Sequence, residues 1–201
     1  MGNLSNFELN FDKKDLKLLR KHAMGSKFIL ETGSGISTKF LAKAARLSKA
    51  TICTIDMADV SKNKVNGVNY LIGWSITCDD IIKVGDPGYI EHKKYRGEDW
   101  KIANSLKHEI EAPNDLIRHA IMKVGKCPDF VFLDSGEYCG LAEWNIVKDL
   151  IPSGGKIALH DIYYPKSIKH FQTVAQIEQD ASWETIVKTK SRQGMFIGVK
   201  K

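Results

Sequence analysis

Short apolar runs alternate with amphipathic segments along most of the 201-residue chain. The runs have the length and composition of buried β-strands, and the amphipathic segments place apolar residues at helical spacing. The predicted strands are 28–30, 51–56, 68–72, 129–134 and 156–161, followed by a closing pair at 183–190 and 194–201. The predicted helices are 15–24, 38–48, 98–111, 113–124, 141–150 and 166–179.

Strands that alternate with helices are typical of a doubly wound α/β sheet. The two closing strands have no helix between them, which indicates an antiparallel pair at the end of the chain. We therefore expect a single Rossmann-like domain over residues 1–201. Its seven-stranded sheet would be mostly parallel, with an antiparallel C-terminal strand and helices on both faces.

One stretch interrupts the alternation, because almost fifty residues separate the third strand from the fourth. We interpret about 83–112 as an insertion, and 83–97 within it as a lid over the acceptor site. Tyr89 and Tyr95 would close on a flat or sugar-like acceptor. A solvated surface loop is the alternative interpretation.

Composition narrows the class of protein. With 43% hydrophobic residues the chain can fill a core, so intrinsic disorder is excluded. No run approaches the roughly 18 apolar residues of a membrane-spanning helix, and the first ten residues do not resemble a secretory signal. Four scattered cysteines favour neither a zinc site nor a disulfide framework. We expect a cytoplasmic protein.

Charge raises the question of a nucleic-acid partner, because 30 Lys and Arg against 24 Asp and Glu leave a net charge of +6. Acidic and basic residues are interspersed over most of the chain, so no basic patch is indicated. Nucleic-acid binding is therefore not the favoured interpretation.

The strongest local signal is the segment ETGSGIST at 31–38, which joins the first strand to a helix. Gly33 and Gly35 would let the backbone approach a ligand, and the helix start offers unpaired N–H groups. A tight turn without a ligand is the alternative. Asp56 ends the next strand, where a carboxylate can accept hydrogen bonds from ribose hydroxyls, although a helix cap or turn residue is also possible there.

The residues around this turn discriminate between nucleoside cofactors. A dinucleotide fingerprint has a third glycine where this chain has Thr38. Glu31 would repel a pyrophosphate but suits the positive sulfonium and amino groups of S-adenosylmethionine.

Five segments together resemble class I S-adenosylmethionine-dependent methyltransferases, in the catechol O-methyltransferase-like group that acts on small molecules. The resemblance covers 27–201, and the segments are ETGSGIST, TICTID, VNYLIGWS, DFVFLD and PSGGKIALHD. It implies cofactor-binding roles for Glu31, Thr32, Gly33, Ser34, Gly35, Ser37, Thr38, Asp56, Met57, Gly73, Trp74, Ser75 and Asp134. Trp74, where the group has a small residue or an Asp, would either stack on the adenine or fill core space.

The resemblance also bears on metal dependence. In metal-dependent members an acid after the fourth strand and an Asp-Asn pair after the fifth hold a divalent cation. Asp134 and Asp161 match the acids, but Ile162 replaces the asparagine and offers no oxygen ligand. His160 could supply a nitrogen, although its place beside Asp161 predicts a side chain pointing the other way. We therefore expect no metal dependence, with Asp134 and Asp161 as the residues that would hold a cation if one bound.

For methyl transfer itself the catalytic candidates are Asp134, His160 and Asp161, any of which could act as a general base. Asp134 could instead cap a helix, and His160 could be structural.

The resemblance implies methyl transfer to a small molecule at a hydroxyl oxygen, with homodimer formation possible. The alternatives are a non-catalytic S-adenosylmethionine-binding module and an RNA or protein methyltransferase. The chain lacks the Asn-Pro-Pro-aromatic tetrapeptide typical of enzymes that methylate exocyclic nitrogens.

Overall fold

The computed structural model describes residues 11–57, 64–77, 79–80, 113–136, 139–164 and 166–201. Over these residues the helices are α1 (Lys13–Ala23), α2 (Ile36–Ser48), α3 (Leu116–Val124), α4 (Gly140–Val147) and α5 (Phe171–Gln179). The strands are β1 (Phe28–Thr32), β2 (Thr51–Asp56), β3 (Asn69–Ile72), β4 (Phe130–Leu133), β5 (Lys156–His160), β6 (Trp183–Lys188) and β7 (Met195–Lys200).

The strands form one seven-stranded sheet in the order β3-β2-β1-β4-β5-β7-β6. The first five strands in this order pair in parallel, and β7 runs antiparallel to both β5 and β6. The predicted fold class is therefore confirmed. Since the chain winds outward in both directions from β1 and β4, the switch point where α/β sheets bind ligands lies between these two strands.

Two apolar cores lie on opposite faces of the sheet, because successive strand side chains point to opposite faces. One face packs against α1 and α2, and the other against α3, α4 and α5. Phe130 and Phe132 belong to the first core, whereas Val131 and Leu133 belong to the second. A strand buried on both faces reads as a continuous apolar run, which is why β4 was recognisable from sequence.

The largest difference from the sequence prediction is the start of α5, which begins at Phe171 rather than at 166. Before it, the Lys169 N–H donates to Ser167 Oγ at 3.1 Å. Such a local side-chain bond competes with helical hydrogen bonding. β5 also ends one residue earlier than predicted, because Asp161 has a left-handed φ of 60°. The predicted lid at 83–97 and helix at 98–111 lie outside the described residues.

None of the described helices could span a bilayer. The longest of them, α2, has 13 residues, whereas a transmembrane helix needs about 20.

Candidate functional site

The predicted site residues lie at the carboxyl ends of the parallel strands, along one edge of the sheet. Thr32 ends β1 and Asp56 ends β2. Asp134 follows β4, and Asp161 follows β5. The strand order brings the β1 turn and the end of β4 together at the switch point.

The turn after β1 needs glycine at Gly33 for the protein's own packing. Its φ is 78°, and a Cβ there would collide with the main-chain carbonyl of Asp134. Gly35 differs, since its backbone is extended and a Cβ there would meet no atom of the described residues within 4 Å. Open space within this part of the chain therefore lies at Gly35, whereas Gly33 lets the turn approach β4 closely.

Asp56 is tied to this turn by two short hydrogen bonds. The N–H and the Oγ of Ser34 both donate to Asp56 Oδ2 at 2.6 Å. Within the helix start, the Gly35 N–H donates to Thr38 Oγ1 at 3.1 Å. The turn, the end of β2 and the start of α2 thus form one hydrogen-bonded unit.

Glu31 lies beneath the turn and is fully buried. Its carboxylate accepts hydrogen bonds from Ser37 Oγ and Thr54 Oγ1, each at 2.7 Å. Burial raises the pKa of Glu31 to about 7, although these hydroxyl bonds oppose the rise. Its direct contact with a cofactor stays a prediction.

The segment after β3 is fastened to the chain just before α3. The Gly73 N–H donates to the Asp56 carbonyl at 2.9 Å, and the Trp74 N–H donates to the Pro113 carbonyl at 2.8 Å. Gly73 has a φ of 146°, and a Cβ on it would collide with Pro113. Trp74 belongs to the buried core and Ser75 is also buried, so the structure places the indole in core packing. Met57, after β2, is 52% exposed.

Thr32 has a buried acidic partner that sequence reasoning missed. Its Oγ1 donates to Glu143 Oε2 at 3.0 Å, and Glu143 projects from α4 with no exposed surface. Burial raises the pKa of Glu143. The available signal was a glutamate between the apolar residues Ala142 and Trp144 of a helical segment, since such a residue is buried only with a partner.

The acids after β4 and β5 share a lysine that was also missed. Lys169 Nζ lies 2.8 Å from Asp134 Oδ1 and 2.9 Å from Asp161 Oδ2. Its side chain is only 9% exposed. Burial by itself would lower the pKa of Lys169, but the two carboxylates outweigh it and raise that pKa. Burial would likewise raise the pKa of Asp134, yet the charge of Lys169 and the contact with His160 lower it.

The expectation that His160 points away from these acids is wrong. Its Nδ1 lies 3.3 Å from Asp134 Oδ1 and 3.1 Å from Asp161 Oδ1. Leu133 pairs in register with Leu159, so Asp134 and His160 follow as the next neighbours and face the same side of the sheet. The alternation argument failed because the left-handed turn at Asp161 returns its side chain to that side. The imidazole also stacks on Phe11, with ring centroids 3.8 Å apart.

Lys169 went unnoticed because it lies within the segment predicted as an ordinary amphipathic helix. The available signal was indirect. Two buried acids with Ile162 in place of an oxygen ligand require another positive charge nearby.

The sheet order, the antiparallel β7 and the glycine turn after β1 form the Rossmann-like arrangement that the sequence predicts. No family model matches the sequence, and no curated protein matches it. Solved structures do match, and the similarity extends over almost the whole chain.

An O-methyltransferase from Bacillus cereus, in complex with SAH, has a TM-score of 0.55 and 16% identity, covering 95% of this chain and 82% of its own. The O-methyltransferase TomG from Streptomyces achromogenes, in complex with SAM, has a TM-score of 0.57 and 13% identity, covering 95% and 81%. The MycE methyltransferase of mycinamycin biosynthesis, in complex with Mg, SAH and mycinamycin VI, has a TM-score of 0.51 and 11% identity, covering 100% and 50%. These similarities confirm the fold.

Mg²⁺ in one of these structures raises the question of whether a divalent cation fits here. Asp134, His160 and Asp161 each offer a ligand atom, and these atoms lie within 4.8 Å of one another. However, the Lys169 ammonium already contacts both carboxylates. Ile162 supplies no oxygen. The residues as they stand therefore do not fit a divalent cation.

Proposed function

We propose that the chain binds S-adenosylmethionine at the turn after β1 and transfers its methyl group to a hydroxyl of a small molecule. One observation carries this proposal. The methyltransferase sheet order brings the glycine turn, Asp56 and Asp134 to the carboxyl ends of adjacent strands. Two of the similar structures described above hold SAH, and a third holds SAM.

The residues around the turn fit this cofactor. Gly35 leaves open space beside the N-terminus of α2, and Asp56 ends β2 where ribose hydroxyls would be bound. The buried Glu31 adds negative charge beneath the turn once it ionises, which favours a ligand carrying a sulfonium and an ammonium group. Two further predicted residues bond to this unit, because Ser37 Oγ donates to Glu31 and Thr38 Oγ1 accepts from the Gly35 N–H.

The bound cofactor would supply an activated methyl group, so the protein's main task is to hold the acceptor oxygen in line with it. Asp134 is a weak proton acceptor at neutral pH, because its pKa is lowered. It is better suited to orient His160 and Lys169. Lys169 also engages Asp161. Of the three predicted candidates, His160 is then the group that would accept a proton from the acceptor.

A specific observation also favours the second candidate, a binding module without catalysis. Both acids that could assist an acceptor are engaged by Lys169. This alternative predicts cofactor binding without turnover, so the two candidates separate in a turnover assay.

Calorimetry with S-adenosylmethionine tests the binding step, with Gly35→Val as the variant. Valine at Gly35 would fill the open space, and we expect affinity to fall at least about tenfold while the melting temperature changes little. Leu47→Val is the matched control, because it places valine on the exposed far end of α2. Wild-type protein that binds NAD but not S-adenosylmethionine would refute the proposal.

Turnover is tested with methyl-labelled cofactor and separate panels of phenols, sugar hydroxyls and transfer RNA. We expect label in a small hydroxyl compound and none in RNA. Cofactor binding with no labelled acceptor would favour the binding module. Label in RNA would favour the third alternative.

A further inference from the structure

Lys169 occupies the centre of the acid cluster at the ends of β4 and β5. Its Nζ contacts Asp134 Oδ1 and Asp161 Oδ2, while His160 Nδ1 contacts the other Asp161 oxygen at 3.1 Å. The side chains of both acids are largely buried, at 18% and 11% exposed. Two buried carboxylates this close are stable only with a compensating positive charge.

The backbone of Lys169 is fixed by its neighbours. The Lys169 N–H donates a hydrogen bond to Ser167 Oγ, and the Lys169 carbonyl lies close to Gly140, the first residue of α4. A Cβ at Gly140 would collide with that carbonyl and with the His170 ring. The lysine therefore enters the cluster from a packed segment rather than from a freely rotating surface position.

An ammonium and a divalent cation compete for this place. A metal ion coordinated by both carboxylates lies about 2.0–2.2 Å from each oxygen, in the space where Nζ makes its two contacts. Two positive groups so close repel each other strongly in a buried site. The Ile162 side chain also offers no oxygen ligand, so the cluster fits the lysine ammonium better than a divalent cation.

We propose that Lys169 takes the place of a divalent cation and positions Asp134 and Asp161 at the reaction edge, so that the protein works without a metal. Lys169 acts as a positioning residue through the two acids. Its role in methyl transfer rests on the proposed function, but the competition with metal does not depend on any cofactor or acceptor.

Mn²⁺ binding without cofactor tests the proposal, measured by electron paramagnetic resonance and by the melting temperature. We expect wild-type protein to bind no Mn²⁺ at this cluster up to about 1 mM. Lys169→Ala should bind Mn²⁺ at least about tenfold more tightly and gain melting temperature on its addition. Adding Asp161→Asn to Lys169→Ala should abolish both gains.

Two further variants sharpen the result. Lys169→Arg keeps the positive charge and should stay metal-free. Lys166→Ala removes an exposed lysine three residues away, whose Nζ bonds only to the Arg192 carbonyl among the bonds described, and should behave as wild type. Lys169→Met preserves the alkyl packing and replaces the alanine variant if the latter does not fold.

Wild-type binding of Mn²⁺ below about 0.1 mM that is lost in Asp161→Asn would overturn the proposal. So would a folded Lys169→Ala or Lys169→Met variant that gains no Mn²⁺ affinity. If neither variant folds, absence of binding by wild-type protein supports the proposal and its presence overturns it. A failure to bind S-adenosylmethionine would leave this result untouched and would count only against the proposed function.

Discussion

Two acidic residues near the same edge of the sheet, Glu31 and Asp134, differ in the side chains that surround them. Among the described residues the hydrogen-bond partners of Glu31 are hydroxyl groups, those of Ser37, Thr54 and Thr38, and its pKa is raised to about 7. Asp134 lies against an ammonium, and its pKa is lowered despite burial. Burial alone thus does not decide the charge of a carboxylate. A cation in contact does, because hydroxyl dipoles compensate only part of the lost hydration.

Because their pKa values shift in opposite directions, Asp134 and Glu31 contribute to stability with opposite pH dependence. Asp134 has a lowered pKa, so its stabilising contribution is present above its ordinary pKa and is lost as pH falls through the lowered value. Glu31 has a raised pKa, so its contribution is full below its ordinary pKa and is lost as pH rises through about 7.

Removing the cation should have the largest effect. Lys169→Met leaves two carboxylates buried without their ammonium, and we expect the free energy of unfolding at pH 7.5 to fall by about 3–5 kcal/mol. Urea unfolding followed by circular dichroism measures this change. Lys166→Met is the matched control and should change stability by less than about 0.5 kcal/mol. Equal stability of the two variants would show that Lys169 does not compensate the acids.

Neutralising Glu31 should have the next largest effect on the free energy of unfolding. At high pH this variant should be more stable than wild type, whereas Lys169→Met should be less stable. Relative to wild type, Glu31→Gln should gain up to about 3 kcal/mol of unfolding free energy between pH 5 and pH 8, because glutamine needs no deprotonated form in the core. Unfolding curves across this pH range measure the gain. Glu178→Gln, at a half-exposed glutamate paired with Lys188 at 2.6 Å, should show no such slope. A flat difference for Glu31→Gln would mean that Glu31 is ionised throughout.

Weakening the hydroxyl partners should have the smallest effect. Thr54→Val removes one donor to Glu31 with little change in shape, and should cost about 1–2 kcal/mol at pH 8. The cost should shrink at pH 5, where Glu31 is protonated, because the lost bond favours the charged form. Thr51→Val, at the other end of β2, controls for the β-branched replacement. A cost independent of pH would assign the loss to packing.

Much of the fold was predictable, because several helices and strands can be identified from the residue pattern within each element. β4 is a continuous apolar run, and α2 carries a clear helical pattern after its glycine turn, so each of these elements could be identified from its own residues. The boundaries at 161 and 166–170 were not predictable in this way. They depend on the left-handed backbone of Asp161 and on the hydrogen bond from the Lys169 N–H to Ser167 Oγ. The spacing of hydrophobic residues contains no information about either.

The candidate site was predicted unevenly. The turn residues and the strand-end acids do lie together, because parallel strands bring their carboxyl ends to one edge, and their roles stay a prediction. His160 was assigned the wrong direction. Trp74 packs in the core, and its contact with an adenine stays a prediction. Glu143 and Lys169 were missed, since Glu143 lies 111 positions from Thr32 and Lys169 lies 35 positions from Asp134.

The sequence alone determined the order of the elements, the glycine turn and the acids that end the strands, because these follow from periodicity and from residue types at neighbouring positions. Only the tertiary structure decided that the pKa of Glu31 is raised and that of Asp134 is lowered. Each direction depends on which side chains lie within about 3 Å of the carboxylate in a buried environment. For Asp134 the decisive neighbour is Lys169, 35 positions away along the chain, and folding alone brings the two together.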